Sequence, residues 1–195
     1  WLLTISGREH HVLSRIADAR LDYTQRTNIF AHHLILETPE LVTPGPAWLL
    51  QQPGLLATGW NGQVGELPPN PVLARLLATP FSESVAQAHA WHALTGDAGW
   101  AGVLAETVAK APQRSVCLLF APGQNLLALL AEAITLLPPA QRWQATFNTY
   151  FTSLPPGASC LWRCCLIDTP AAALAQRSSN TLVLNLADPN HLPPI

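Results

Sequence analysis

Histidine comes in pairs in this chain: His10 with His11, His32 with His33, and His89 with His92. Imidazole binds metals and moves protons near neutral pH, so the pairs are the first place to look for chemistry. His89 and His92 would share one face of a helix. No carboxylate or cysteine stands at ligand spacing beside them, and H-E-x-x-H is absent. His32 and His33 are adjacent in a strand-like run and would point to opposite faces, so they cannot hold one ion without distortion. The spacing predicts no bound metal and no cofactor. Nucleophiles fare similarly. There is no G-x-S-x-G elbow, and Lys110, the sole lysine, follows Ala109 in a helical pattern rather than a Ser-x-x-K. Cys117, Cys160, Cys164 and Cys165 form neither a C-x-x-C pair nor a disulfide framework. Arg163 could lower the pKa of Cys164 or Cys165, yet thiols in an apolar strand are usually inert. Glycine-rich phosphate loops of either common type are missing. No residue is assigned a catalytic role.

The densest polar cluster holds Tyr23, Arg26, Asn28, His32 and His33, and it runs straight into the apolar residues Leu34, Ile35 and Leu36. A loop with these side chains ahead of a buried strand is a candidate ligand or partner site. Arg26 could clamp a carboxylate or phosphate, and Asn28 could hold a tight turn. The structural alternative is a polar network that fixes the strand's entry, with Asp18 or Asp22 as the partner of Arg26.

The elements that must position these groups are read from periodicity. Residues 1–5 and then His11–Ile16 read as a hairpin around Ser6-Gly7, and Ile29–Leu36 as a strand with His32, Leu34 and Leu36 on one face. Asp18–Asn28 reads as irregular. From Thr38 to Pro80 prolines and glycines recur; Pro46–Gln52 is a short helix with proline in its first turn, Leu55–Trp60 a short strand ending at Asn61-Gly62, and the rest surface loop. Trp48 and Trp60 stand near expected surface turns and are candidate partner anchors. Ser82 or Ser84 would cap a helix to Leu94, Gly96 would end it, and Asp97 would cap a second helix to Lys110. Ser115–Phe120, Arg142–Phe151, Cys160–Ile167 and Leu182–Leu186 read as strands. Asn125–Leu137 and Pro170–Arg177 read as helices. The interleaving predicts an α+β fold with a mixed, mainly antiparallel sheet, several packed helices and a Pro/Gly-rich middle loop region. One domain over 1–195, with a subdomain seam near 68–82, is the expected organisation.

Composition narrows the function classes. The 195 residues carry 10 basic and 12 acidic side chains, a net charge of −2, which argues against a nucleic-acid partner. Only 11% are charged and 49% are hydrophobic, so there is ample material for a core and a surface of low charge. No apolar run is long enough for a membrane span, and no signal peptide is visible. Together with the unpatterned cysteines this suggests a reducing, cytoplasmic compartment. The chain starts at Trp1 and holds no methionine, so it reads as a fragment, a processed chain, or a sequence that has lost modified methionines.

Four blocks carry a family resemblance: R-I-A-D-A-R-L-D-Y-T-Q-R-T-N-x-F-A-H-H-L from Arg15 to Leu34, P-A-W-L-L-x-Q-P-G from Pro46 to Gly54, A-L-T-G-D-A-G-W-A-G-V-L-A-E from Ala93 to Glu106, and R-W-Q-A-T-F-N-T-Y-F-T-S-L from Arg142 to Leu154. In order and over most of the chain, they resemble the bacterial GTPase-associated protein family, in particular its second type of N-terminal domain. That family's pattern begins with a further glycine-rich segment. The resemblance implies a non-catalytic adaptor or sensing module in a multi-component bacterial system alongside a GTPase, of conflict or immunity type. It implies a protein partner, the GTPase or another component, and leaves room for self-association. The competing expectation is a hydrolase using a polar cleft centred on His32 or His33; a convergent cleft with a nucleophile within hydrogen-bond reach of either would favour it, and a flat apolar patch would favour the adaptor.

Overall fold

The computed structural model describes all residues except 1, 22–23, 61–64, 67, 83–85, 156–157 and 193–194. The class is α+β as expected, with the two strand directions sorted into separate sheets. A three-stranded antiparallel sheet has the order β1-β2-β3, from β1 (Leu2–Ile5), β2 (Arg8–Leu21) and β3 (Thr27–Leu36). Ser6 and Gly7, both at positive φ, make the first turn. The segment from Asp18, read as irregular, instead continues β2 to Leu21 through a register shift between Asp18 and Leu21. Leu13 lies opposite Leu34, and with Leu36 they face a small core of Val42, Leu49, Leu55, Leu56, Leu73 and Trp143.

The second sheet is parallel, in the order β5-β6-β4-β7: β4 (Ser115–Phe120), β5 (Phe147–Asn148), β6 (Trp162–Leu166) and β7 (Thr181–Asn185). β4 is covered on both faces and reads as an unbroken apolar run, as such strands must. Its even residues Val116, Leu118 and Phe120 enter the main core with α3 (His89–Thr95), α4 (Gly99–Lys110) and α5 (Leu126–Thr135). Its odd residues Cys117 and Leu119 meet α6 (Pro170–Arg177) on the other side.

Four expectations are corrected here. Residues 55–60 form no strand but a loop, in which the Leu55 carbonyl accepts from Asn70 Nδ2 and the Ala57 amide donates to His32 Nδ1 instead of to a strand partner. The surface run expected beyond them contains α2 (Pro71–Ala78), with Pro71 in its first turn and Asn70 accepting from the Val72 and Leu73 amides. The clean alternation of Arg142–Phe151 yields only the two-residue β5, because Pro139–Gln144 is a 3-10 helix. There the buried Arg142 binds the carbonyls of Thr43, Thr135 and Leu137, and Trp143 enters the small core; these anchors override the pattern. The helix expected from Ser82 or Ser84 starts only at His89; residues 83–85 lie outside the described ones. Pro46–Leu50 forms α1 with proline first, and Asp97 accepts from the Gly99 amide at 2.8 Å.

Candidate functional site

The polar cluster does not converge. Tyr23 lies outside the described residues. Arg26 and Asn28 are exposed at the tip of the β2–β3 hairpin, where Asn28 Oδ1 accepts from the Ile29 amide at 2.9 Å. His32 is half-buried on the inner face, its Nδ1 accepting from the Ala57 amide at 2.7 Å. That bond puts the ring proton on Nε2 and ties the 55–60 loop to β3. His33 points outward, and its Nδ1 lies 2.8 Å from Ser14 Oγ, its cross-strand neighbour. This is a nucleophile within reach of a histidine. The pair, however, sits on an exposed sheet face, with no third group on His33 among the described hydrogen bonds to orient it. The arrangement is that of a cross-strand polar pair.

The tryptophans divide. Trp48 is half-buried against the small core and meets Phe81 edge-on, with centroids 5.7 Å apart. Trp60 is 65% exposed. Among the described residues no three His, Cys, Asp or Glu side chains gather to hold a metal ion, and no helix is long and apolar enough to cross a membrane. All four cysteines are buried free thiols.

Two features not anticipated from the residues stand out. The first is a cleft of about 690 Å³ between the antiparallel sheet and the carboxyl end of the parallel one. Its walls are His11–Ile16 of β2, Leu50 of α1, Phe120 at the end of β4, Gln124–Leu127 at the start of α5, and Trp143 with Ala145–Tyr150 around β5. Neither His32 nor His33 lines it. Ligand sites favour the carboxyl ends of parallel strands, where loops and helix N-termini converge. Asn125 caps α5 there by accepting from the Ala128 amide, and Asn148 Oδ1 holds the Tyr150 amide at 2.8 Å. His11 packs edge-on against Trp143, and burial lowers its pKa from the usual histidine value. The Pro122-Gly123 turn between an apolar strand and an Asn-capped apolar helix was the available signal for this corner.

The second feature is the outer face of the antiparallel sheet. Ile16, Ile29 and Ile35 are 68%, 70% and 52% exposed, and the register puts them on one face with Ala31 and the Ser14–His33 pair. A strand face normally turns such residues inward.

An antiparallel hairpin sheet packed on a small parallel sheet with helices on both faces defines the class: an α+β protein whose two sheets share a cleft. Its residues 2–73 match the model of GTPase-associated protein 1, N-terminal domain type 2, and residues 88–188 match GTPase-associated protein 1, middle domain. The chain belongs to the GTPase-associated protein 1 family. The blocks at Arg15–Leu34 and Pro46–Gly54 fall in the first match, and those at Ala93–Glu106 and Arg142–Leu154 fall in the middle domain. No curated protein and no solved structure matches the chain.

Proposed function

We propose that this chain is a non-catalytic adaptor that works alongside a GTPase in a bacterial, cytoplasmic multi-component system of conflict or immunity type. The observation that carries this reading is the outer isoleucine face. Three large β-branched side chains held in water on one flat sheet face are the composition of a docking surface, where apolar area is covered on association. The family's name supplies the partner class. The dispersed polar cluster supports binding over chemistry, since among the described residues no convergent acid, base and nucleophile surround a common point. The test is affinity purification of the intact protein from its own cells, with the captured proteins identified by mass spectrometry. A GTPase is expected in the wild-type eluate and lost from an Ile16→Asp, Ile29→Asp variant whose circular dichroism is unchanged. Equal capture by both, or capture of no GTPase, overturns the reading.

A further inference from the structure

We propose that the open edge of β2 above the cleft takes an extended, acidic peptide segment of a partner protein, added as a strand antiparallel to β2 in continuation of β1. This deepens the adaptor reading and rests on it for the partner being a protein.

The ladder geometry comes first. β1 pairs with β2 only from Ile5 opposite Arg8 to Leu2 opposite His11, whereas β2 runs on to Leu21 with β3 along its other side. Over Leu13–Ala17, no described strand pairs with the side of β2 that β1 would occupy. In an antiparallel ladder alternate amides and carbonyls point that way, and they form a template for another strand. The cleft lies along the same stretch: its β2 wall is His11–Ile16, and no residue of β3 lines it. About five residues at about 3.4 Å each make a site about 17 Å long, the length of an ordinary strand. Strand addition takes affinity from the backbone and specificity from pockets for alternate side chains. The far wall supplies such a pocket, apolar at Leu127 and Trp143 and polar at Asn125 and Asn148.

Charge selects the occupant. Arg15 is the one Arg, Lys, Asp or Glu among the cleft's lining residues. The start of α5, which adds the positive end of a helix dipole, forms part of the same wall. An acidic side chain on the incoming strand therefore meets only complementary charge. A second copy pairing edge to edge would bring Arg15 toward Arg15, so a heterologous strand is favoured.

The experiment selects random short peptides displayed on phage against the whole chain. Winners are then measured by fluorescence anisotropy, and hydrogen exchange is followed at Leu13–Ala17. Enriched peptides are expected to alternate apolar residues and carry an acid. Methylating alternate peptide nitrogens on the ladder side should weaken them by about tenfold or more. Exchange at Leu13–Ala17 should slow on binding, and Arg15→Glu should shift the selection to basic peptides. Several results overturn the proposal: no enrichment, methylated peptides that bind as well as their parents, or Leu13–Ala17 amides fully protected before peptide is added. A dimer that protects the same amides would give the edge to a second copy and overturn it too. No GTPase in the wild-type eluate, with peptide selection intact, removes the GTPase reading alone; GTPase capture by the wild type with no peptide selected removes this inference alone.

Discussion

Arg142 shows how one side chain can organise a joint. Its guanidinium donates from Nε to Leu137 at 3.0 Å, from Nη1 to Thr43 at 3.0 Å and from Nη2 to Thr135 at 3.3 Å. The Thr135 carbonyl ends α5 and that of Leu137 lies just beyond its cap, so the cation also meets the negative pole of the helix. A planar fork reaches three acceptors at once and an ammonium does not. Arg142→Ala is expected to cost about 2–4 kcal/mol in urea unfolding, and Arg142→Lys to recover only part of it. A loss under about 1 kcal/mol would mean that water replaces the guanidinium. The thiols behave oppositely, as inert filling. Burial pushes Cys160 up to about 11 and Cys164 further, and Cys117 is pushed up by its hydrogen bond to Cys165 and by burial; the same bond lowers Cys165, whose thiol is kept from reagents by its burial alone. None of the four should react with a thiol reagent at pH 8 until the chain unfolds; rapid labelling of the native protein would refute the buried assignment. His11 supplies the pH dependence. Its folded pKa lies below the ordinary value, so the unfolded chain binds the proton more readily. Its contribution to stability is complete above the unfolded pKa of about 6.5 and is lost as pH falls toward the folded value. His11→Gln should flatten that part of the stability curve, and an unchanged slope would count against it.

At the scale of elements, the termini of helices separate what is local from what is not. The start of α2 is local: Asn70 caps the Val72 and Leu73 amides, and its Nδ2 donates to the Leu55 carbonyl at 2.7 Å. Asn70→Ala should cost about 1–2 kcal/mol, with Asn70→Asp keeping the cap but losing the tie to Leu55. If Asp proved equal to Asn, the Leu55 bond would contribute nothing. The start of α3 is not local. Its Ala90 and Trp91 amides are held at 2.7 and 3.1 Å by the carboxylate of Glu132, which belongs to α5. Glu132 is the one charged residue of the apolar α5, and in the fold it is the missing cap of a neighbour. Glu132→Ala should speed hydrogen exchange at Ala90 and Trp91 while leaving the middle of α4 protected. Elements whose signals are local, such as Pro46–Leu50, Ser115–Phe120 and Pro170–Arg177, were legible to within a residue or two. Arg142–Phe151 was not, because its alternation is produced by three separate clusters and not by one sheet face.

At the scale of the whole molecule, side chains of one segment pack into the core of the other. Trp143, from the segment matched by the middle domain, is buried in the small core of the N-terminal segment, and its Nε1 donates to the Val42 carbonyl at 2.8 Å. Gly45, at φ +92°, has Ile134 and Arg142 about where a Cβ would stand, so the two segments meet at van der Waals range. Residues 1–195 are therefore expected to unfold as one domain, with a single calorimetric transition whose van't Hoff and calorimetric enthalpies agree. Two resolved transitions would show that the segments fold separately. The same molecule leaves Ile16 and Ile29 in water, so the Ile16→Asp, Ile29→Asp variant should unfold within about 0.5 kcal/mol of wild type while losing its partner.

Residue types and their order were enough for the α+β class, the family, the helices at Pro46–Leu50 and Pro170–Arg177 and the inward face of β3, because helix-start signals and alternation act over a few neighbouring residues. The same reasoning grouped Arg26, Asn28, His32 and His33 into one candidate site, which the fold disperses. Adjacency in a strand means opposite faces, and a bond from Ala57 commits His32 to holding a loop. Conversely, Arg15, Asn125 and Asn148 are far apart in the chain and come to line one cleft only when two sheets pack. No local rule carries that information. It resides in which buried side chains, Trp143 and Arg142 foremost, find their partners across the joint.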